Sequence, residues 1–580
     1  MSRHKYVDEA PIWVYPKQDP VWVKEIIDAF NIHPVTAQVL ASRGFDDLDE
    51  IHEFLYAKLP DLHDPDLFLD MDKAISRILK ALQDKEKILI YGDNDVDGIT
   101  GTTLLTEFFE YLDVPVCSYI SNRASLTQSL VMDALSYATE HACSLMITVD
   151  CGITSASEIH EASKRKIDII VTDHHEPTAR LPHCIATLNP KVQGSTYPNR
   201  EITGVGVAFK LAHAVSNALV EEGKLSSLKI DLKRYLDLVA LGTIADMGSL
   251  IGENRILVRY GLRQLRKTKR VGLAKLCQLS DVRLSEITPL EIASKIAPRI
   301  NSLGRIADPN KGVKILLSRD PLAAELLAKE LDVHNQERQK IERKDSEDID
   351  NFFLSHPEIL KEKAIVLYSD KWHPGIIPII TARIVKLYNR PTVIIAIVSG
   401  IGKGSLRTIS EFPLLPILKD NENLLINFGG HDYAAGLTIQ EHNIPQFKAN
   451  FISSVNRSLK EQDIRTKLYL NAKISFEDLT FDFMESLQLL EPFGNGNPAP
   501  IFYADVKQVW PPKIIGKSHL KLYFDQNGRT LEGIGFAMAH RRPELIRIKH
   551  SPVSVAFSPT VNTFLNKTSI QLHVRDLRVT

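Results

Sequence analysis

The stretch from about residue 87 to residue 171 alternates short apolar runs with segments of helical periodicity. The apolar runs are rich in β-branched residues and cover residues 88–90, 145–149 and 167–171. Strands that alternate with helices in this way are typical of a parallel sheet covered by helices. The pattern therefore predicts an α/β domain with a parallel sheet.

Acidic residues or histidines follow each of these predicted strands directly. They are Asp93 and Asp95 after the first strand, Asp150 after the second, and the run 173–175 (Asp-His-His) after the third. Because ligands bind outside the carboxyl ends of strands in open parallel sheets, we expect these side chains to converge on one crevice. Taken singly, each has an ordinary alternative as a solvated turn aspartate, a helix N-cap or a surface histidine.

A further carboxylate, Asp246, lies in the apolar segment 240–247. An aspartate in such a segment is unfavourable unless it is paired, bound to a metal or used as a buried cap. Five side chains could together hold two divalent cations about 3.5–4 Å apart, an arrangement that hydrolyses phosphate esters. A carboxylate and imidazole set suits Mn²⁺ as well as Mg²⁺. In chain order, the five candidate ligands are Asp93, Asp95, Asp150, His174 and Asp246.

The acidic run that begins at Asp93 also resembles the start of a calcium-binding loop. Its glycines, Gly92 and Gly98, permit a sharp turn before a helix that we expect to begin near Ile99. A calcium loop of this type requires a bidentate glutamate at its twelfth position, which is Leu104 here. The run therefore favours the phosphoester-hydrolysing site over a calcium site.

The rest of the chain predicts a long helix followed by two further folded regions. Residues 321–353 form one charged amphipathic stretch without glycine or proline after its start, which predicts a helix joining two domains. Strand-like runs at 364–368 and 392–395 and glycine-rich turns at 402–407 and 428–431 predict a second α/β region. Short β runs and an Asn527-Gly528 hairpin signal then predict a small β-barrel after about residue 463.

Length and composition limit the possible classes of protein. A chain of 580 residues predicts three or four domains, and 44% apolar with 24% charged residues is typical of a globular protein. The formal net charge of −2 argues against an overall positive coat, so any nucleic acid must bind a local basic surface. Five widely spaced cysteines indicate neither a disulfide framework nor a zinc ribbon. Without a signal core or a membrane-length apolar run, we expect a cytoplasmic protein.

Four motifs around the candidate ligands resemble those of the DHH phosphoesterase family. They are GDNDVDG at 92–98, TVDCG at 148–152, TDHH at 172–175 and GTIAD at 242–246. Further motifs resemble the single-strand-specific exonucleases of that family, and the match runs from about residue 41 to the C-terminus. These are PRINSLGR at 298–305, WHPG at 372–375, KGSLR at 403–407, GGH at 429–431 and EPFGNGNP at 491–498.

The resemblance implies a domain order along the chain. It implies an N-terminal helical extension at 1–70, a DHH parallel-sheet domain at 71–318 and a long connecting helix at 319–355. A second α/β domain, the DHH-associated domain, would follow at 356–462, and an OB-fold β-barrel would occupy 463–580.

The resemblance also implies roles for individual residues. The five candidate ligands would bind two divalent cations, Mn²⁺ or Mg²⁺, with Asp97 behind them and His175 near the scissile phosphate as catalytic residues. Glycine-rich turns and arginines are suited to gripping a phosphate backbone, and charge interleaved with aromatic side chains suits an OB-fold groove. The implied DNA-binding residues are Arg123, Arg299, Arg305, Ser405, Arg407, Gly429, Gly430, His431, Lys517, Lys521 and Tyr523.

The implied activity is 5′-to-3′ hydrolysis of single-stranded DNA in recombination and repair. A monomer that works with a helicase and a single-strand-binding protein is the expected assembly. A phosphatase for short oligonucleotides, cyclic dinucleotides or pyrophosphate, and a non-catalytic scaffold, are the alternatives. One four-residue stretch and one single position depart from the family pattern: Leu-Thr-Gln-Ser at 126–129 replaces the usual Glu-Gly-Tyr-Gly, and Pro378 replaces a glycine.

Overall fold

The computed structural model describes residues 10–17, 19–122, 129–224, 231–547, 552–564 and 567–579. They form two α/β domains, a long helix between them, and a C-terminal β-barrel against which the N-terminal segment packs. Among the described residues, no helix combines the length and apolar character needed to cross a membrane.

The N-terminal segment joins the C-terminal domain. It contains strand β1 (Ile12–Val14) and helices α1 (Pro20–Phe30), α2 (Pro34–Ser42) and α3 (Leu48–Tyr56). Strand β1 pairs in parallel with residues 467–469, and the buried side chains of the three helices share one core with those of the barrel. The segment expected as a helical extension is therefore helical, but it also contributes a strand.

A five-stranded parallel sheet forms the centre of the first α/β domain. Its strands are β2 (Ile88–Gly92), β3 (Val116–Ile120), β4 (Leu145–Val149), β5 (Asp168–Thr172) and β6 (Ala186–Leu188), in the order β3-β2-β4-β5-β6. Helices cover both faces, and β2, β4 and most of β5 are buried. The predicted strands are confirmed to within a few residues, whereas the sequence pattern missed β3 and β6.

Twelve α-helices of the first domain are described. They are α4 (Met71–Gln83), α5 (Val96–Tyr111), α6 (Leu130–Glu140), α7 (Ala156–Lys164), α8 (Gly204–Glu221), α9 (Leu236–Ala245), α10 (Gly252–Leu265), α11 (Val271–Leu279), α12 (Pro289–Glu291), α13 (Ala297–Asn301), α14 (Leu303–Ile306) and α15 (Asn310–Leu317). Helix α5 begins at Val96, three residues before the predicted start, because Asp95 caps its first turn.

The connecting helix α16 (Pro321–Ser355) is 35 residues long. At 1.5 Å per residue it spans about 52 Å. Its start is capped by Asp320, whose carboxylate accepts the amides of Leu322 and Ala323. Its N-terminal half packs on the first domain and its C-terminal half on the second, so the predicted helix over 321–353 is confirmed.

The second α/β domain is built on a mixed sheet with the order β10-β11-β9-β8-β7. Only β7 and β8 are parallel, so this sheet differs in kind from the first. Its elements are β7 (Ile365–Ser369), α17 (Ile377–Tyr388), β8 (Thr392–Val398), β9 (Ile401–Arg407), α18 (Leu414–Asp420), β10 (Leu425–Gly430), β11 (Ala434–Gln440) and α19 (Ile444–Ser458). Pro378 lies in the first turn of α17, where a missing amide hydrogen does no harm.

The two glycine-rich segments of this domain are strands, so the prediction of turns there was wrong. Residues 402–407 belong to the central strand β9, and 428–430 to the edge strand β10. A Cβ atom at Gly404 would lie 2.7 Å from Leu437 Cδ1, and one at Gly402 would lie 2.7 Å from Ile395 Cγ2. The glycines of β9 make room for neighbouring side chains rather than for a change of chain direction.

The C-terminal domain is a β-barrel, as predicted. Its sheet runs β13-β14-β18-β19-β17-β16-β15, and pairing of β14 with β16 closes it. Asn527 and Gly528 have positive φ angles at the β16–β17 connection, which confirms the predicted hairpin. Its elements are β12 (Lys467–Tyr469), β13 (Ala472–Lys473), α20 (Phe481–Gln488), β14 (Phe502–Gln508), β15 (Lys513–Ile515), β16 (His519–Gln526), β17 (Arg529–Gly535), α21 (Arg542–Arg547), β18 (Pro552–Phe564) and β19 (Lys567–Val579).

Arg255 of α10 links the first domain to the N-terminal helices and to the C-terminal domain. It is 3% exposed, and its guanidinium donates to the main-chain carbonyls of Phe54, Leu489 and Leu490. Burial, with the nearby charges of two further arginines, lowers its pKa to about 9. One buried cation therefore satisfies carbonyls near the ends of helices α3 and α20.

Candidate active site

Three loops of the first domain meet at the carboxyl edge of its parallel sheet. The pairing aligns Gly92 with Val149, and Val149 with Thr172, so that β2, β4 and β5 end at the same level. The residues that follow are Asp93, Asp150 and Asp173. Their convergence on one crevice, expected from the sequence, follows directly from the parallel register.

Asp95 and Asp97 organise the start of helix α5. Asp95 Oδ1 accepts the amides of Asp97 and Gly98 at 2.9 and 3.2 Å. Asp97 is fully buried, and its two carboxylate oxygens accept the amides of Gly204 and Val205 at 2.7 and 2.9 Å. Burial and the charge of Asp95 raise the pKa of Asp97 to about 7, against the effect of the two amides. Asp97 thus caps the N-terminus of α8 and fixes it beside α5.

Asp150 occupies the centre of the site in an uncommon backbone conformation. Its φ angle is +61°, in the left-handed region that residues with side chains rarely adopt, and its side chain is 2% exposed. A Cβ atom at Gly204 would lie 2.7 Å from Asp150 Oδ1, so only glycine lets the start of α8 come this close. Burial and the neighbouring carboxylates raise the pKa of Asp150 well above its usual range.

The two histidines of the TDHH motif differ in environment. Asp173 Oδ1 accepts the amides of His174 and His175 and lies 2.7 Å from His175 Nδ1, while Oδ2 accepts the Ile153 amide. Although burial opposes it, this bond to Asp173 raises the pKa of His175 to about 9. Burial and the charge of His175 lower the pKa of His174 to about 3. At neutral pH, His174 is therefore a neutral imidazole, the form that ligates metals, and His175 is a cation.

Donor atoms within 4.8 Å of one another form three groups that fit divalent cations. The groups are Asp93 with Asp95 and Asp150, Asp150 with His174 and His175, and Asp97 with His174 and Asp246. The shortest distance from His174 Nε2 is to Asp150 Oδ1, at 3.0 Å, and Asp246 Oδ2 lies 3.8 Å away.

Asp150 Oδ1 provides a direct test of whether these residues fit a metal. The atom is buried and accepts no hydrogen bond from the described residues. A buried carboxylate oxygen left without a donor is unfavourable, and a divalent cation held by Asp150 and His174 would remove the penalty. Carboxylate oxygens with one imidazole nitrogen are suitable donors for Mn²⁺ or Mg²⁺. The residues present therefore fit two divalent cations, with Asp150 common to two donor groups.

Comparison with known proteins identifies the family. The model of the DHH family N-terminal domain matches residues 87–243, that of the DHHA1 domain matches 361–461, and that of the RecJ OB domain matches 470–576. The single-stranded-DNA-specific exonuclease RecJ of Bacillus subtilis strain 168 is 34% identical over 98% of this chain and 71% of its own length. The chain belongs to the RecJ family. The RecJ of Haemophilus influenzae is 30% identical over 93% of this chain and 96% of its own length.

Solved structures of the RecJ family have the same architecture. RecJ from Thermus thermophilus in complex with Mn²⁺ superposes with a TM-score of 0.81 at 28% identity, over 98% of this chain and 80% of its own. A complex of the same protein with Mg²⁺ gives a TM-score of 0.74 at 27% identity, over 98% and 78%. Both cations expected from the donor chemistry are thus those bound by a close structural relative.

The second domain of this RecJ-family chain reaches the site through His431. The rings of His431 and His175 stack with centroids 5.8 Å apart and planes 12° apart. Gly429 and Gly430 precede His431 on the edge strand β10, where one side of the backbone has no partner strand among the described residues. A Cβ atom at Gly429 would meet nothing within 4 Å, so this edge is open to a ligand. The predicted GGH segment therefore lies beside the predicted catalytic histidine.

The other residues predicted to face DNA differ in their burial and in the hydrogen bonds and ion pairs that they already form within the protein. Arg407 donates to the carbonyl of Leu406 at 2.7 Å, and none of the described carboxylates forms an ion pair with it. Ser405 is 4% exposed in the central strand β9. Arg305 donates to the carbonyl of Gly375 at 2.8 Å and so links the two α/β domains.

Arg299 and two of the barrel residues, Lys521 and Tyr523, have acidic partners. Arg299 Nε donates to Asp332 of the connecting helix at 2.9 Å. Lys521 Nζ lies 2.7 Å from Glu532, to which the Tyr523 hydroxyl also donates, at 3.3 Å. Lys517 is exposed in the turn before β16, and Arg123 lies outside the described residues. Among the described arginines predicted to contact phosphate, Arg407 is therefore the strongest candidate.

Three residues of the site were missed by the sequence analysis as functional groups. Asp173 was expected to lie at the crevice, or to be an N-cap, but was given no role of its own, whereas it orients His175. Asn189 donates to the carbonyl of His175 at 2.9 Å and accepts the amide of Lys191 at 2.8 Å. The side chain of Lys191 is 9% exposed, lies 3.3 Å from Glu176, and lowers the pKa of His174 and of His431 through its charge. The signal was present, since Asn189 and Lys191 directly follow β6 at the same sheet edge.

Proposed function

We propose that this chain is a single-stranded-DNA-specific exonuclease that hydrolyses phosphodiester bonds with two divalent cations. The observation that carries the proposal is the meeting of separate carboxylates and His174 around Asp150, which belongs to two of the three donor groups. The relatives are named single-stranded-DNA-specific exonucleases, which supports single-stranded DNA as the substrate. Retention of every candidate ligand argues against a non-catalytic scaffold, and the match to the RecJ OB domain argues against a phosphatase of short substrates.

The candidate ligands would hold the cations at the carboxyl edge of the sheet. When bound, two such cations lower the pKa of a water molecule and neutralise charge on the attacked phosphate. The side chain of His175 is 41% exposed and faces the same space. Asp173 accepts a hydrogen bond from Nδ1 of His175, so the Nε2–H group of His175 points away from Asp173. That group can donate to a phosphate oxygen or to the leaving oxygen.

Selectivity for single strands follows from the position of the second domain. His431 stands over His175, and Arg305 ties the two domains together beside the site. A duplex, being much wider than one strand, would have to displace this contact, whereas a single strand can pass along edge strand β10. The amides of Gly429 and Gly430 and the guanidinium of Arg407 are suited to its phosphates.

We propose 5′-to-3′ polarity and a role in recombination and repair from the resemblance of the motifs. A helicase and a single-strand-binding protein are the proposed partners, because an enzyme that excludes duplex needs another protein to supply and protect its substrate. These partners are identified by their function alone.

The test uses oligonucleotides labelled at either end, with Mn²⁺ or Mg²⁺. Labels at the 5′ end should appear at once as mononucleotides, whereas labels at the 3′ end should appear on progressively shorter strands. A blunt duplex of the same sequence should be resistant, and Asp150→Ala should abolish cleavage in either metal. Equal cleavage of duplex and single strand would contradict the proposal, and faster turnover of a dinucleotide than of a long strand would favour the short-substrate phosphatase.

A further inference from the structure

The chain turns sharply directly after the candidate ligand Asp246, at the end of helix α9. Met247 and Gly248 donate their amides to the carbonyls of Ile244 and Thr243, which is the hydrogen-bond pattern of a Schellman motif. In this motif the residue after the C-cap adopts a left-handed conformation and is usually glycine. Here it is Met247, with a φ of +58°. The turn that carries Asp246 is therefore less stable on its own than a turn with glycine.

The side chain of Met247 does not hold this turn in place, because the residue is 69% exposed. The contacts come instead from Asn495, in the C-terminal part of the chain. Asn495 Nδ2 donates to the carbonyl of Met247 at 2.7 Å, and the Asn495 carbonyl accepts the amide of Leu250 at 2.8 Å. Two hydrogen bonds with one residue thus hold the turn at Met247 and the chain directly after it at Leu250.

The segment that presents Asn495 is itself fixed. Gly494 and Asn497 exchange main-chain hydrogen bonds at 2.9 and 3.3 Å, and Gly496 has a φ of +72°. Asn497 is 1% exposed and donates to the carbonyls of Leu490 and Pro492, both at 2.8 Å. A Cβ atom at Gly494 would lie 2.6 Å from Leu250 Cδ1, so the hairpin packs directly against the turn.

We propose that Asn495 is a positioning residue for the metal centre. By holding Met247 in a left-handed conformation, it fixes the end of α9 and with it the direction of the Asp246 carboxylate. The hairpin at 494–497 would then couple the C-terminal domain to metal affinity in the first domain. The inference rests on the proposed function only through the role given to Asp246 as a metal ligand.

The experiment measures Mn²⁺ binding without DNA, by calorimetry and by the electron paramagnetic resonance signal of the free ion. Asn495→Ala should weaken Mn²⁺ binding about tenfold, the lower end of the effect usual for groups that orient metal ligands. Because Asn495 is exposed, the unfolding temperature should stay close to that of the parent. Asn456→Ala is the matched control, because it removes another exposed hydrogen bond from an asparagine side chain, in this case to Glu362. This variant should bind Mn²⁺ like the parent.

Rescue distinguishes positioning from a general loss of structure. Glycine adopts the left-handed conformation without penalty, so Met247→Gly in the Asn495→Ala background should restore most of the Mn²⁺ affinity. Parent-like affinity of Asn495→Ala, or no rescue by Met247→Gly, would overturn the inference. A parent protein that binds Mn²⁺ but leaves single-stranded DNA intact would instead refute the proposed function and leave this inference standing.

Discussion

The acidic cluster should make the metal-free first domain less stable as pH rises, and Asp97 gives the size of the effect. Its pKa is raised from 3.8 to about 7, mainly by burial. A carboxyl that binds its proton more tightly in the folded state stabilises that state while protonated. This contribution is complete below the unfolded pKa of 3.8 and is lost as pH rises to about 7. It amounts to roughly 4 kcal/mol, or about 1.4 kcal/mol per pH unit.

Neighbouring groups modify this dependence in known directions. Burial also raises the pKa values of Asp150 and Asp246, which adds to the loss of stability with rising pH. His174 acts in the opposite sense, because its lowered pKa of about 3 means that it takes up a proton on unfolding below about pH 6.5. His213 of α8, whose pKa is also lowered by burial, acts in the same sense as His174. Three carboxyls outweigh two imidazoles, so stability should still fall between about pH 5 and 6.5.

Asp97→Asn isolates the contribution of Asp97. Asparagine does not titrate and has only one acceptor oxygen, so the variant loses one hydrogen bond from a main-chain amide at every pH. Only the slope of stability against pH is therefore diagnostic. Tryptophan fluorescence does not report on the first domain, because the four tryptophans lie at 13, 22, 372 and 510, outside it. The stability is therefore measured by hydrogen exchange of the α5 and α8 amides, corrected for intrinsic rates. After chelation, the parent should lose about 1.4 kcal/mol more per pH unit than the variant.

Saturating Mn²⁺ provides the control for this experiment. Because ligation requires deprotonated carboxylates, the stability of the Mn²⁺-loaded parent should rise with pH over the same interval. Equal slopes for the metal-free parent and Asp97→Asn, or a metal-free stability that rises with pH, would refute the reasoning from burial and like charge.

Three further substitutions, one of them with a matched control, test other parts of the structure. Gly204→Ala, whose Cβ would lie 2.7 Å from Asp150 Oδ1, should weaken Mn²⁺ binding at least tenfold in a calorimetric titration. Arg255→Met removes a donor from the carbonyls of Phe54, Leu489 and Leu490, of which that of Leu490 keeps its hydrogen bond from Asn497. The change should cost about 3 kcal/mol, read as a lower unfolding midpoint and faster proteolysis between domains. Arg407→Ala should weaken the binding of single-stranded DNA, and the salt dependence of binding should correspond to about one phosphate contact fewer. Lys521 is already paired with Glu532, so Lys521→Ala should change both quantities less.

The convergence of the candidate metal ligands was predictable because it depends on one rule of sheet geometry. Parallel strands place their carboxyl ends at one edge, so residues that follow β2, β4 and β5 had to meet wherever those strands paired in register. Asp246 reaches the same place from a helix end, and its prediction rested on an aspartate in an apolar run and on the resemblance. The same rule applied to β6 would have found Asn189 and Lys191, but β6 has only three residues and was not recognised as a strand.

What could not be predicted depends on contacts between distant parts of the chain. The donation from Asn495 to Met247 joins residues 248 positions apart, and neither local sequence announces it. The glycines of β9 were misread for a related reason. Glycine in a loop and glycine beneath a neighbouring side chain look alike in sequence, and only the packing of Leu437 over Gly404 distinguishes them.

Hydrogen bonding separates the buried carboxylates of the site into two kinds. Asp97 and Asp173 receive amide donors on both oxygens, so each is satisfied by the protein and orients its neighbours. Asp150 Oδ1 is buried without a donor among the described residues, as expected of an atom reserved for a cation. Asp150→Asn should therefore abolish Mn²⁺ binding, whereas Asp97→Asn should weaken it no more than about tenfold to a hundredfold, as for a group behind the ligands. The reverse order of effects in a Mn²⁺ titration would show that hydrogen-bond satisfaction does not identify the ligands.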